Sequence, residues 1–353
     1  MKNSNNYHDE TAKENILQLR KLQEELPRFC RQYFRGIEQT TAPRTRLAYA
    51  YDLGVFFEFL HKNNSVLSKM DITEFPLSVL DQITKADIEE YLEYLKYYEK
   101  NGKIYTNGEQ AIKRKLSALR VFYAYLYKNN RISSNPAEKV DMPKIHGKTI
   151  TRLDINEIAD FLDAVEYGDH LTEHQQAYHA KTKVRDLAIL TLMLGTGIRV
   201  SECVGIDLND VDFNNGRVKV TRKGGYESYV YFGDEVTDAL TDYFEERKHI
   251  EPVSGHENAL FLSSQRKRMS VRSVEMLVKK YSEGVIPMKH ITPHKLRSTY
   301  GTELYRETGD IYLVADVLGH SDVNTTRKHY ADMDEDRRRS ARNRVQLREK
   351  RDN

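Results

Sequence analysis

The sequence predicts a mainly α-helical protein with one small antiparallel β-sheet, organised in two domains. Apolar side chains recur every three or four positions along much of the chain, which is the spacing of one face of a helix. Residues 217–231 instead alternate apolar and polar side chains around a glycine pair, as a β-hairpin does. The length of 353 residues exceeds what one hydrophobic core commonly holds, and this favours two domains.

The first domain is predicted to be a bundle of four or five helices. A polar, disordered segment over residues 1–12 precedes a helical pattern that begins at Ile16. Proline is favoured in the first turn of a helix, so Pro43 marks the start of one helix, and Thr84 is the N-cap of another. A long helix over residues 109–129 completes the bundle.

Changes in composition set the domain limits. Asparagine–glycine pairs at 101–102 and 107–108 bracket a short loop inside the first domain. Residues 132–150 hold two prolines and show no helical period, which is typical of a linker. The predicted organisation is a partly disordered lead-in (1–24), a helical domain (25–131), a linker (132–150) and a second domain (151–353).

The second domain combines further helices with the hairpin. A very apolar helix over 181–195 ends at Gly195-Thr196-Gly197, and a new helix begins near Val200. The strands of the hairpin are predicted over 217–221 and 228–231. The other predicted helices are 153–165, 234–247, 270–282, 294–307 and 311–318, followed by a charged and helical C-terminal segment over 336–351.

The composition excludes several classes of protein. The net charge of +2, from 55 basic and 53 acidic residues, is too small for a polycationic chain but allows local basic surfaces. Two distant cysteines, Cys30 and Cys203, offer neither a disulfide framework nor metal-ligand spacing, which favours a reducing cytoplasm. No apolar run approaches the ~18–20 residues of a transmembrane helix, and the polar N-terminus lacks a signal-peptide pattern.

A set of polar side chains in the second domain forms the candidate catalytic site. Guanidinium groups are planar, permanently charged and forked, so two of them can clamp the oxygens of one phosphate. His294 and Arg297 lie three residues apart and therefore share a helix face. The candidate residues are Arg199, Lys223, His294, Arg297, His320 and Tyr330.

These residue types suit the cleavage of a phosphodiester by a tyrosine. A phenol with a pKa near ~10 needs a base to become a nucleophile, and His294 is the candidate base for Tyr330. His320 would orient the phosphate, and Lys223 would protonate the leaving oxygen as a general acid. Because the arginines supply the positive charge and a phosphotyrosine keeps the bond energy, neither a metal nor another cofactor is expected.

Each candidate also has an ordinary structural explanation. An isolated arginine is most often a salt-bridge residue, and the glycine of the LGHS segment can end a helix. Lys223 can be a simple turn lysine, and Arg222 beside it competes for the same role. What favours chemistry is the complete set, in order and at consistent spacing.

The ordered set resembles that of the tyrosine recombinases, also called phage-type integrases. The resemblance runs through LMLGTGIRVSECVGIDLNDVDF, VKVTRKGGYESYVYF, ITPHKLRSTYGTEL and VADVLGHSDVNTTRKHYADM. It implies the same catalytic set, with Tyr330 as nucleophile and Glu202 as the acidic residue that supports Arg199. Two departures are an interval of ten residues from His320 to Tyr330, where nine is more usual, and Ser298 where many members have histidine.

The resemblance also implies the partners. The first domain is similar to the family's core-binding, SAM-like domain, so the two domains would close around double-stranded DNA with paired half-sites. A homo- or hetero-tetramer would form on synapsed DNA, with the C-terminal segment exchanged between subunits. Basic side chains would contact phosphates and fix the register on DNA. The candidate contacts are Arg44, Thr45, Arg46, Lys113, Arg114, Lys115 and Arg120.

The function that follows is site-specific DNA recombination through a 3′-phosphotyrosine intermediate. Among branches of the family, the chain most resembles the compact Xer-like enzymes, which resolve chromosome dimers. Integration or excision of a mobile element is the close alternative, because the helical lead at 13–26 is longer than Xer-like enzymes need. A type IB topoisomerase-like enzyme and a catalytically inactive DNA-binding protein are the alternatives from other classes.

Overall fold

The chain folds as two units, residues 1–148 and 149–353, in a computed structural model that describes residues 7–100, 102–146, 152–320 and 323. The first unit is a helical bundle with one hairpin. Its elements are α1 (Tyr7–Glu24), α2 (Cys30–Gly36), α3 (Pro43–Asn63), α4 (Val79–Gln82), α5 (Lys85–Tyr94), β1 (Tyr97–Lys100), β2 (Lys103–Thr106) and α6 (Glu109–Lys128).

Local capping signals start the helices of the first unit where the sequence predicts them. Pro43 occupies the first turn of α3, where its missing N–H costs nothing. The Thr84 hydroxyl oxygen accepts a hydrogen bond from the backbone N–H of Asp87, and the Asp87 carboxylate accepts one from the backbone N–H of Thr84, which completes a capping box at α5. The predicted disorder over residues 1–12 is wrong from Tyr7 onward, because α1 begins there and buries Leu19.

Aromatic side chains dominate the core of the first unit. Phe57 of α3 and Phe122 of α6 meet edge to face, with ring centroids 6.2 Å apart. Tyr33 of α2 meets the same Phe122 ring at 5.0 Å. Edge-to-face contact places the positive ring edge on the negative ring face, so these pairs add to the energy of apolar burial. The three helices are therefore locked together at Phe122.

The β1–β2 hairpin lies where a short loop was predicted. The strands are antiparallel, with Tyr98 opposite Tyr105, and the Tyr98 ring stacks between Tyr94 and Tyr105 at 5.1 and 5.4 Å. Gly102 lies in the turn with a φ of 70°, which glycine adopts without steric cost. An Asn-Gly pair between alternating side chains is a strong hairpin signal, and it was available in the sequence.

Much of the predicted linker belongs to the first unit. Ile132, Ala137 and Val140 are buried and pack in the same core as the helices. Arg120 of α6 donates hydrogen bonds to the carbonyl oxygens of Ala137, at 3.1 Å, and of Val140. Met142 is partly buried and packs against the same core, and residues 147–151 lie outside the described part of the chain.

Buried charge also stabilises the first unit. The Asp52 side chain of α3 is 1 % exposed and accepts a hydrogen bond from Lys115 Nζ at 3.1 Å. Arg114 donates to the other carboxylate oxygen of Asp52. The Lys115 ammonium is itself buried, so α3 and α6 are joined by an ion pair that water does not screen.

Asp52→Asn is expected to lower the free energy of unfolding by about 3 kcal/mol, because it leaves the Lys115 ammonium buried without its counter-charge. Urea denaturation of the full-length protein, followed by circular dichroism, measures the change. Glu89→Gln, which removes an exposed pair with Lys85, is the matched control and should cost less than about 0.5 kcal/mol. The double variant Asp52→Asn/Lys115→Met should regain part of the lost free energy of unfolding, because it no longer buries an unpaired ammonium. An Asp52→Asn variant that is as stable as its control would refute the stabilising role of the Asp52–Lys115 ion pair.

The second unit is an α-helical domain with a small sheet. Its elements are α7 (Ile155–Tyr167), α8 (Glu173–Thr196), α9 (Val200–Gly205), β3 (Val211–Asp212), β4 (Arg217–Thr221), β5 (Glu227–Tyr231), α10 (Asp234–Lys248), α11 (Val271–Val285), α12 (Pro293–Thr308) and α13 (Ile311–Leu318). The predicted fold class, mainly α with a small antiparallel sheet, is confirmed. Within the described residues, each helix is too short or too polar to cross a membrane.

Strands β4 and β5 of the small sheet form the predicted hairpin. Its strands run in the order β3-β4-β5 and are antiparallel throughout. Val218, Val220 and Val230 are buried on one face of the sheet, so the alternation in the sequence corresponds to a core side and a solvent side. The turn between β4 and β5 contains Lys223.

A buried carboxylate joins α8 to α11. Asp186 of α8 is fully buried and accepts hydrogen bonds from Tyr281 Oη at 2.9 Å and Lys280 Nζ at 3.2 Å, both on α11. Arg185 donates to the second oxygen of the same carboxylate. These bonds hold the middle of α8 in place, and the C-terminal end of α8 leads directly into the candidate site.

Candidate active site

The candidate site begins at the C-terminal end of α8, where the chain turns sharply. Gly197 follows Thr196 with a φ of 64°, a left-handed conformation that glycine adopts readily. A Cβ atom at this position would lie 2.4 Å from the Tyr300 ring and 2.8 Å from Leu318. Glycine is therefore required both by the turn and by the close packing of α12 and α13 against it.

Arg199 is the N-cap of α9 and is held by Glu202 one turn later. Arg199 Nη1 donates to Glu202 Oε1 at 2.7 Å, and the Arg199 backbone N–H donates to Oε2 at 2.9 Å. Glu202 is 2 % exposed, whereas 31 % of the Arg199 side chain is exposed. The carboxylate therefore fixes the guanidinium from the protein side and leaves part of it open to a ligand.

Arg297 lies in the interior, one turn after the exposed His294 on α12. Its Nη1 donates to the carbonyl oxygen of Gly197 at 2.6 Å, and its Nη2 donates to that of Leu318. The residue is 4 % exposed. Arg297 therefore links the end of α8 to the end of α13, while a joint action of His294 and Arg297 on one phosphate stays a prediction.

Arginine side chains converge on the C-terminal end of α13. Arg199 Nη2 donates to the carbonyl oxygen of Gly319 at 3.0 Å, and Arg297 donates to that of Leu318. The last carbonyls of a helix lack partners within the helix and carry the negative end of its dipole, so cations are favoured there. His320 follows at once, and its backbone N–H donates to Ala315 at 2.9 Å. The two predicted arginines and the His320 segment are thus brought together.

A third arginine, which the sequence analysis did not assign to the site, joins this cluster. Arg222 Nη2 donates to the carbonyl oxygen of Val317 at 2.9 Å, and its Nη1 lies 3.3 Å from that of Leu318 and 3.4 Å from Glu202 Oε2. Burial lowers the pKa of the Arg222 guanidinium from its ordinary value, while the Glu202 carboxylate opposes that shift. The signal in the sequence that could have assigned Arg222 to the site is its position next to Lys223.

Lys223 has a different setting from the arginines. It is exposed in the β4–β5 turn, which two left-handed glycines, Gly224 and Gly225, make possible at φ values of 95° and 84°.

The predicted nucleophile, Tyr330, lies outside the described residues. Burial raises the pKa of the Cys203 thiol, next to Glu202, to about 12, so this thiol stays protonated and unreactive at neutral pH.

Three residues of the predicted DNA-contact set in the first unit make contacts within the bundle. Arg46 is 5 % exposed and forms an ion pair with Glu38 at 2.8 Å, while Lys115 is buried against Asp52. Both cations hold the bundle together and do not face solvent. Arg120 donates hydrogen bonds to the carbonyl oxygens of Ala137 and Val140, in the segment after α6.

The remaining candidate contacts are accessible. Arg44 and Thr45 are exposed in the first turn of α3, and half of the Arg114 side chain is exposed despite its bond to Asp52. Lys113 is half-buried. A role for these four residues in binding DNA stays a prediction.

Comparison with known families identifies the fold. Residues 151–337 match the phage integrase family, and residues 30–130 match the N-terminal SAM-like domain of phage integrases. The chain belongs to the phage integrase family. It is a tyrosine recombinase of the Xer-like kind, an enzyme that cuts and rejoins DNA strands.

Individual relatives support this membership over most of the chain. Tyrosine recombinase XerC of Caldanaerobacter subterraneus is 32 % identical over 326 residues, which cover 89 % of this chain and 85 % of the relative. Tyrosine recombinase XerS of Lactococcus lactis is 30 % identical over 344 residues, which cover 88 % of this chain and 93 % of the relative.

Solved structures share the fold at lower identity. The XerH site-specific recombinase bound to a palindromic difH substrate has a TM-score of 0.63 at 20 % identity and covers 85 % of this chain and 79 % of its own. The Tn1549 transposon integrase with circular intermediate DNA has a TM-score of 0.62 at 22 % identity and covers 89 % and 99 %. Both are similar to this chain in architecture.

Proposed function

We propose that the recombinase cleaves DNA with the Tyr330 hydroxyl and forms a 3′-phosphotyrosine at a phosphate held by Arg199 and Arg297. The observation that supports this most directly is the convergence of both guanidinium groups on the end of α13, immediately before His320. Two forked cations at one point form a site for the non-bridging oxygens of a single phosphate.

In the proposed reaction, the tyrosine oxygen forms a bond to phosphorus while the bond from phosphorus to the 5′-oxygen breaks. His294 accepts the phenol proton, and Lys223 gives a proton to the departing 5′-oxygen. The two arginines and His320 stabilise the charge that builds on the five-coordinate phosphorus. A 5′-hydroxyl from a partner strand then attacks the phosphotyrosine and releases Tyr330, so bonds broken and bonds formed balance.

Glu202 has a supporting part in this proposal. It accepts hydrogen bonds from both the side chain and the backbone of Arg199, so it restricts the guanidinium to one orientation. A preorganised donor stabilises the transition state without first having to be ordered, and this is the main advantage of such a carboxylate–arginine pair.

The proposed biological role is resolution of chromosome dimers. The XerC and XerS enzymes described above are 32 % and 30 % identical to this chain, whereas the transposon integrase is similar in fold at 22 % identity. We propose that the enzyme acts in the cytoplasm on double-stranded DNA with paired half-sites. A tetramer of identical or paralogous subunits would assemble there, with C-terminal segments exchanged between neighbours.

The test of the proposed chemistry uses DNA that the protein itself selects from a randomised duplex pool. A nick beside the cleavage point of the selected site lets the 5′-hydroxyl fragment diffuse away, so a covalent adduct accumulates. Peptide mapping of the adduct by mass spectrometry should place the DNA on Tyr330 without added metal or ATP. An adduct on another residue, or plasmid relaxation that needs no selected site, would contradict the proposal.

Removal of residues 336–353, which lie outside the described residues, is expected to leave DNA binding within about 3-fold while lowering strand exchange at least 10-fold. The reason is that a segment shared between subunits contributes to assembly rather than to the grip on one half-site. Band shifts measure binding, and recombination between two selected sites on one plasmid measures exchange. Full recombination by the truncated protein would exclude this role.

A further inference from the structure

Arg222 joins three parts of the second unit that carry different members of the proposed catalytic set. Its side chain is 11 % exposed, and its guanidinium reaches Glu202, which orients Arg199. The same guanidinium reaches the carbonyl oxygens of Val317 and Leu318, at the end of the helix that leads into His320. Arg222 itself directly follows β4 and directly precedes Lys223.

The backbone of Arg222 closes the turn that presents Lys223. The Arg222 N–H donates to the carbonyl oxygen of Tyr226 at 2.7 Å, and the Gly225 N–H donates to the carbonyl oxygen of Arg222 at 3.1 Å. These two bonds restrict the loop of three residues between them. The orientation of the loop relative to the rest of the site then depends on where the Arg222 side chain is anchored.

The anchor is tightly packed. A Cβ atom at Gly319 would lie 3.0 Å from the Nε, Nη1 and Cζ atoms of Arg222, so the absence of a side chain at residue 319 makes room for the guanidinium. The planar fork of arginine can serve a carboxylate and two carbonyl oxygens at the same time. A lysine at this position has a single compact ammonium and cannot span these acceptors in the same way.

We propose that Arg222 is a positioning residue that anchors the β4–β5 turn to Glu202 and to the end of α13, and so places Lys223 at the leaving oxygen of the DNA strand. The inference rests on the proposed function, in which Lys223 is the general acid. In this proposal Arg222 acts through Lys223, whose turn its backbone closes, and through Glu202, which its guanidinium contacts.

The experiment compares two leaving groups in single-turnover cleavage of the selected, nicked site. One substrate has the ordinary 5′-oxygen at the scissile phosphate, and the other has a 5′-bridging sulfur. A thiolate leaves without a proton, so a defect in general acid catalysis disappears with the sulfur substrate, whereas a defect in phosphate binding persists. The variants are Arg222→Met, Arg222→Lys and Lys223→Ala, with Arg217→Met on the same hairpin as control.

Arg222→Met is expected to slow cleavage of the oxygen substrate about 10²-fold, the size of effect that a misplaced catalytic group produces, and to cleave the sulfur substrate within about 5-fold of the wild type. Lys223→Ala should behave in the same way, and Arg217→Met should cleave both substrates normally. Arg222→Lys keeps the positive charge and tests the same anchoring role if Arg222→Met folds poorly. Its cleavage of the oxygen substrate should be at least 10-fold slower than that of the wild type, and the sulfur substrate should restore its rate.

Three results would overturn the inference. Arg222 variants that cleave the oxygen substrate at the wild-type rate show that the anchor is dispensable. Arg222 variants that are equally slow on both substrates show a general loss of the arginine site. Rescue of Arg222→Met without rescue of Lys223→Ala shows that Lys223 is not the group being placed. Failure of the wild type to form an adduct on either substrate would instead refute the proposed function itself, and this inference with it.

Discussion

Tyr330→Phe is expected to abolish the covalent protein–DNA adduct while leaving DNA binding unchanged. The substitution removes the single oxygen that is proposed to bond to phosphorus and keeps the aromatic ring, so the loss is chemical rather than structural. Denaturing gel electrophoresis of the nicked-substrate reaction measures the adduct, and band shifts measure binding. The rate should fall below detection, which is the largest effect expected for any single substitution in this chain.

A second tyrosine near the C-terminal end provides the control. Tyr312 on α13 is 72 % exposed, and Tyr312→Phe should form the adduct at the normal rate. Persistence of the adduct in Tyr330→Phe would show that another residue is the nucleophile. Such a result would indicate that the unusual interval of ten residues between His320 and Tyr330 reflects a wrong choice of nucleophile.

Arg199→Ala is expected to slow adduct formation about 10²- to 10³-fold, which is the effect of removing one preplaced donor from a developing oxyanion. The fold should survive, because the backbone N–H at residue 199 and the Arg222 guanidinium still face the buried Glu202 carboxylate. The defect should remain with the sulfur leaving group, since the lost interaction is with the non-bridging oxygens.

The control for Arg199→Ala is Arg272→Ala on α11, where 77 % of the side chain is exposed. This control should cleave normally, because it removes an equal charge from a surface ion pair. Thermal unfolding of both variants shows whether the fold is kept. An Arg199→Ala enzyme that cleaves within a few-fold of the wild type would contradict the assignment of this arginine to the phosphate.

Much of the fold follows from local signals that act within a few residues. Pro43 and Thr84 start helices where they were predicted to, because an N-terminal proline and a capping hydroxyl stabilise a first turn without help from the rest of the chain. Gly197 ends α8 for an equally local reason, its left-handed backbone. The start of α1 was placed too late because its polar first turns show little apolar periodicity.

Burial was much harder to predict, because it depends on what packs against each side chain. Arg46 and Lys115 look in sequence like cations of a solvent-facing helix surface, yet each meets a carboxylate from elsewhere in the bundle. The segment after residue 131 has the composition of a linker, yet Ala137 and Val140 complete a core that includes residues as distant in sequence as Leu19 and Phe57.

The sequence by itself determined the helical fold class, the hairpin at 217–231, the family resemblance and an ordered candidate set from Arg199 to Tyr330, because periodicity, caps and residue chemistry are local properties. Tertiary structure decided which cations meet. Arg199, Arg222 and Arg297 converge because the C-terminal carbonyls of α13 offer partial negative charge at one point, and residues about 20 to 120 positions away supply the donors. That convergence distinguishes Arg222, which anchors the turn, from Lys223, which the turn presents.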